Sequence, residues 1–119
     1  WATKSGFAWG SPATLLVHVD VGLWVSYRGA LALDATLALP STPDRAPCAP
    51  CPAPCLSACP VGAIHSGGYD TDACRTHVRS RAGTACRTGG CLVRHACPAG
   101  AGAAPPPDQA GYHMERFLA

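Results

Sequence analysis

The sequence predicts an α+β domain: a short antiparallel β portion, then a cysteine-rich lobe with short helices, closed by a C-terminal helix. Three observations predict it. Within residues 14–39, apolar side chains alternate with polar or small ones around Val17, Val19 and Val21, and again at Leu23, Val25 and Tyr27. All eight cysteines fall within residues 48–97. The last residues, "DQAGYHMERFLA", put Ala110, Met114 and Phe117 on one helical stripe.

In chain order, residues 1–12 ("WATKSGFAWGSP") read as a Gly- and Ser-punctuated loop. The alternating stretch then reads as two or three short strands, with Gly22 and Gly29 as breaks or bulges and its apolar residues as core. A Pro-rich connector, "PSTPDRAP" at 40–47, leads into the lobe. There "HSGGYD" is a turn, and a helix is expected from Thr71 to Arg81, capped by Asp70 or Thr71 and ended by Gly83, with Cys74 and Val78 on one face. "AGAGAAPPPDQ" is a low-complexity linker, and Asp108 is the expected cap of the terminal helix. The divisions are 1–40 (β-rich, expected to be a fragment of a larger element), 41–98 (the cysteine-rich lobe) and 99–119 (linker and helix).

The 119 residues amount to one domain with little to build a large core. Hydrophobic residues make up 48%, but much of that is Ala and Cys, and aromatics reach only 7%. With 13 Gly and 12 Pro, such a chain needs covalent or metal staples, and the cysteines can supply them. A net charge of +2, evenly spread, argues against nucleic acid as a partner. "LLVHVDVGLWV" is broken by His18 and Asp20, so no membrane insertion is expected. No secretory signal pattern is visible, which makes the expected setting cytoplasmic. Because the chain begins at Trp1, it is expected to be a fragment or a processed form, with part of the function carried by a missing N-terminal segment.

The chemistry lies in "CAPCPAPCLSACPVGAI", residues 48–64, which places Cys48, Cys51, Cys55 and Cys59 ahead of Pro60. Four soft thiolates can converge on an iron–sulfur cube when several come from one tight loop and at least one from elsewhere in the chain. Pro60 is expected to start a helix that points Cys59 away, with Val61 and Ile64 as apolar cover. Cys86, Cys91 and Cys97-Pro98 echo this run in looser form, and Cys74 completes the eight.

"CLSACPVGAI" followed by a distant second Cys-Pro resembles the bacterial two-cluster ferredoxin module. It is similar in particular to the ferredoxin-like C-terminal part of epoxyqueuosine reductase, in which a strand segment, a first cysteine motif, an isolated Cys at a helix start and a second motif follow in order. Here "YRGALALD", Cys48 to Pro60, Cys74, and Cys86 to Pro98 stand in that order. "GLWVSYRGAL" and the terminal "QAGYHMERFL" also resemble stretches of short proteobacterial proteins classed with the ferredoxins. The resemblance covers roughly residues 14–118 and implies one or two [4Fe-4S] clusters: one held by Cys48, Cys51, Cys55 and Cys97, the other by Cys59, Cys74, Cys86 and Cys91. It further implies an electron carrier that transforms no substrate within this chain and that docks a redox partner protein.

Two spacings depart from the family. Cys51-x3-Cys55 stands in place of x2, with Pro52 and Pro54 expected to hold the chain extended while Ala53 bulges outward. Cys86-x4-Cys91-x5-Cys97 replaces a tighter second motif. The residues alone leave three further readings: a disulfide-stapled interaction module, a zinc-stapled one using Cys48-x2-Cys51 with later cysteines or His95, and the electron-feeding tail of a larger reductase. His18, His65, His77 and His95 read as structural or as tuning groups rather than ligands. Arg75, Arg79 and Arg81 read as a solvated helix face or a docking patch for an acidic partner.

Overall fold

The computed structural model describes all residues, Trp1–Ala119. A short 3₁₀ turn, Ala2–Ser5, ends at Gly6 with φ 79° and leads into β1 (Ala8–Gly10). β1 pairs antiparallel with β2 (Leu16–His18), placing Ala8 opposite His18 and Trp9 opposite Val17. The connecting turn is closed by Ser11 N–H donating to the Leu15 carbonyl at 2.8 Å. β1 thus occupies a segment whose sequence reads as loop. Three residues between glycines are too few to carry a pattern, and the partner strand is what makes them a strand.

Beyond β2 the chain turns at Gly22, φ 54°, which exchanges two backbone hydrogen bonds with His18. Leu23 is buried there, and no strand forms between it and Ile64. The alternation through Leu23, Val25 and Tyr27 therefore forms no sheet, because nothing lies alongside to take its ladder hydrogen bonds.

The lobe contains a 3₁₀ turn at Pro54–Leu56, then β3 (Ile64–His65) and β4 (Gly68–Tyr69) as an antiparallel hairpin, then three short helices. Helix α1 spans Thr71–Arg79, and the Asp70 carboxylate accepts from Ala73 N–H at 2.9 Å as its cap. It stops before the expected Gly83, where the Ser80 hydroxyl donates to the His77 carbonyl at 2.7 Å. Gly83 instead serves close packing, since a Cβ there would lie 2.0 Å from the His77 oxygen. Helices α2 (Thr84–Gly89) and α3 (Leu92–His95) follow, and a 3₁₀ turn at Pro98–Gly100 closes the lobe.

The terminal helix α4 spans Pro107–Leu118 with Pro107 at its first turn. Asp108 lies inside that turn and Pro106 holds the cap position, so Asp108 is a charge near the N-terminus rather than the cap. α4 packs along α2 through buried Ala110, with Gly111 close to the Arg87 and Thr88 carbonyls. Two of the three arginines read as a solvated face latch its far end. Arg75 Nε donates to the Phe117 carbonyl at 3.3 Å and Arg79 to the Leu118 carbonyl at 2.8 Å, giving cations and donors to the last carbonyls.

The central core joins Ala13, Val17, Leu23, Ile64 and Val93 to two cysteines, Cys55 and Cys97. Only 16 of 119 residues are buried. The radius of gyration, 15.5 Å, exceeds the roughly 13.5 Å expected of a compact chain this long, in keeping with the unpaired excursion after Leu23. No helix is long and apolar enough to cross a membrane.

Candidate metal centre

Cys48 and Cys51 sit on a tight turn in which Cys51 N–H donates to the Cys48 carbonyl at 3.1 Å. The extra residue of Cys51-x3-Cys55 is absorbed at Ala53, which takes the left-handed conformation (φ 55°, ψ 52°). This costs an L-residue about 1–2 kcal/mol. Its N–H donates to Cys51 Sγ at 3.4 Å, and its methyl packs against the core, half-buried rather than bulging outward. The 3₁₀ turn it opens carries Cys55, which is buried in the core, with its own N–H and that of Leu56 near enough to lower its pKa in part.

Cys97 arrives from the end of α3. Burial, followed by the charges of Cys97, Cys51 and Cys55, pushes the Cys48 thiol up. Burial and then Cys97 do the same to Cys55, partly offset by the two N–H donors. Cys48, Cys51 and Cys97 line a cavity of about 240 Å³ walled largely by prolines. Gly22 closes on this group: a Cβ there would lie 2.9 Å from Cys97 Sγ and 2.4 Å from Gly100 N. Read from sequence, Gly22 is only a break in a strand; its approach to a cysteine far along the chain leaves no local signal.

Cys59 belongs to the other group. Pro60 starts a turn rather than the expected helix: Gly62, at φ 62°, donates its N–H to the Cys59 carbonyl at 3.1 Å, and Ala63 N–H donates to Cys59 Sγ at 3.2 Å. The same Cys-Pro-x-Gly closure recurs at Cys97, where Gly100 N–H donates to the Cys97 carbonyl at 3.0 Å.

Cys74 stands in the first half of α1, Cys86 is buried on α2, and Cys91 holds the cap position of α3. Burial pushes the Cys74 thiol up; the Tyr69 hydroxyl beside it offsets part of this, while Cys91 and Cys59 add to it. Tyr69 is itself pushed well above the usual phenol range by burial and then by its hydrogen bond to Cys74. Cys86 is raised by burial, eased by Leu92 N–H, and raised again by Cys91, Cys74 and Cys59. Cys59, Cys74, Cys86 and Cys91 line one cavity of about 540 Å³, roofed by Ala110, Met114 and Phe117 of α4.

All eight cysteines are free thiols, sorted into two groups of four. No three Cys, His, Asp or Glu side chains converge closely enough to hold a single metal ion. The histidines are dispersed. His18 accepts Asp20 N–H, His65 accepts Gly67 N–H, and His95 Nε2 lies 2.8 Å from the Gly89 carbonyl with its ring edge-on to Trp24. His77 lines the larger cavity, and its Nε2 is buried without a hydrogen-bond partner. Neither protein families, nor curated proteins, nor solved structures yield a match to this chain.

Proposed function

We propose that this chain is a ferredoxin-like electron-transfer protein that holds two [4Fe-4S] clusters, one per cysteine quartet. The observation that carries the reading is the sorting of eight free thiols into two fours: Cys59, Cys74, Cys86 and Cys91 around one cavity, and Cys48, Cys51 and Cys97 around another with Cys55 beside them. The donor set fits such a group: all soft sulfur, with the backbone N–H groups of Ala53 and Ala63 donating to the sulfurs of Cys51 and Cys59.

Zinc fits less well. Four thiolates at about 2.3 Å from one zinc crowd within about 4 Å of each other, whereas a cuboidal cluster spreads its thiolates over its corners. No three Cys, His, Asp or Glu side chains form a single-ion group, and the cavity of about 540 Å³ among Cys59, Cys74, Cys86 and Cys91 leaves room for the larger cluster. In this reading the setting is reducing and cytoplasmic, where thiols stay free to hold clusters.

When bound, a cluster supplies one-electron storage. The chain's own residues supply the rest. The thiols release their protons on binding; burial holds Cys48 and Cys55 in one group, and Cys74 and Cys86 in the other, in the protonated form until a strong cation displaces the proton. N–H donors to sulfur stabilise the more negative state, and α4 and the proline wall keep water away. In this reading the electrons pass to a redox partner protein.

Anaerobic reconstitution tests the reading. Brown protein with about eight irons and eight sulfides per chain is expected. Cys48→Ser should remove one cluster and leave the other. Colourless protein, or loss of both clusters together in a folded variant, would overturn it.

A further inference from the structure

From Val25 to Arg45 no residue donates or accepts a backbone–backbone hydrogen bond, and no side chain satisfies the backbone there. The excursion is anchored at both ends. Leu23 is buried at its start, and at its return Thr42 packs so tightly on Gly6 that a Cβ on that glycine would lie 2.4 Å from the Thr42 methyl. Between these anchors the chain exposes Leu31 (91%), Leu33, Leu37 and Leu39 (79%). Four large apolar side chains and an open backbone in one segment leave both its surface and its hydrogen-bonding groups without a partner.

The sequence of that segment specifies its own partner. "LALDATLAL", residues 31–39, reads the same in both directions about Ala35, apart from Asp34 and Thr36. Two such segments laid antiparallel about a two-fold axis at Ala35 set Leu31 opposite Leu39 and Leu33 opposite Leu37. All four leucines are at odd positions and so share one face of an extended strand. The one break in the palindrome sits where a perfect repeat would fail: Asp34 meets Thr36 of the other copy instead of a second carboxylate. A parallel in-register pair would set Asp34 against Asp34, which is unfavourable.

We propose that residues 31–39 are a homodimerisation strand, pairing antiparallel with the same residues of a second copy around a two-fold axis at Ala35. The interface is isologous, the same surface on both copies, so the two-fold contact closes at two copies. Pairing straightens the bend now at Asp34 and Ala35 and gives partners to the backbone groups of alternate residues, which the monomer leaves open. It requires no metal and stands apart from the cysteine quartets.

Sedimentation equilibrium of the full chain over a micromolar to millimolar range, with and without reconstituted iron, tests it. The expected result is a reversible monomer–dimer equilibrium with the same affinity in both preparations. Leu33→Lys alone and Leu37→Glu alone should each weaken the dimer at least tenfold, and the two together should restore it, because position 33 of one copy faces position 37 of the other. These positions lie outside the core, and unchanged circular dichroism verifies that each variant folds. A chain monomeric throughout would overturn the proposal, as a hairpin folded back on itself or a strand kept for a different protein would give. So would a dimer indifferent to the single variants, or one the double variant fails to restore.

Discussion

Replacing Gly22 with alanine tests whether the N-terminal hairpin helps to shape the first cysteine group. The new methyl would start 2.4 Å from Gly100 N, 2.7 Å from Gly100 Cα and 2.9 Å from Cys97 Sγ, and the first two are backbone atoms that no rotamer change can move aside. The residue also holds φ 54°, so an L-side chain adds about 1–2 kcal/mol of backbone strain. Forcing a methylene-sized group into closed packing adds about 1–3 kcal/mol. Together the cost is roughly 2–5 kcal/mol. Each kcal/mol lowers Tm by about 4 °C or more in a domain of this size.

The strain falls on Cys97 and Gly100, so the loss should be selective. Anaerobic reconstitution of Gly22→Ala should give about four irons rather than about eight, with the larger cavity still loaded. Gly29→Ala is the matched control: nothing lies within 4 Å of its added Cβ and its φ is not positive, so stability should change by less than about 1 kcal/mol. Equal iron content and equal Tm for Gly22→Ala and the parent chain would refute the reasoning.

Three other outcomes follow from the same geometry. At Ala53, glycine removes left-handed strain but loses a half-buried methyl, so Ala53→Gly should shift stability upward by no more than about 1 kcal/mol, while Ala53→Val should lower it by more than that, both read by thermal melts. Cys48, Cys55, Cys74 and Cys86 have folded-state pKa values raised above the ordinary 9.0, so the fold favours their protonated form. The metal-free chain should hold this stability below about pH 9 and lose it as pH climbs through the raised values; melts taken from neutral pH upward should show a falling Tm. Removing the hydroxyl beside Cys74 should leave that thiol less acidic, so Tyr69→Phe should slow alkylation of Cys74 in the metal-free protein without changing the rate at Cys48, followed by peptide mass mapping.

What could be read ahead of the structure followed local rules. Asp70 before Thr71 and the Ala110–Met114–Phe117 stripe announced α1 and α4, because caps and helical periodicity are set by near neighbours. The mixed α+β character with only short strands was legible for the same reason. Where partners decide, the sequence said less. The odd-numbered alternation runs on beyond Val21 with no strand to meet it, and Ala8–Gly10 forms a strand with almost no pattern of its own. Pro60 reads as a helix start, yet Gly62 two residues on closes a turn instead. In the site, the cysteines were plain from their spacing. The close approach of Gly22 to Cys97 and the hydroxyl of Tyr69 beside Cys74 were not, since each joins a cysteine to a residue that no spacing rule ties to it.

The two Cys-Pro-x-Gly turns have a topological consequence. Each hands its sulfur across to the quartet built mainly by the opposite half of the lobe: Cys59 goes to the downstream group, and Cys97 returns to the upstream one. Cutting the chain at Asp70 would leave four cysteines in each piece and a complete native quartet in neither. The halves are clasped like two hooks, so each quartet is complete only while the opposite half's segment is in place.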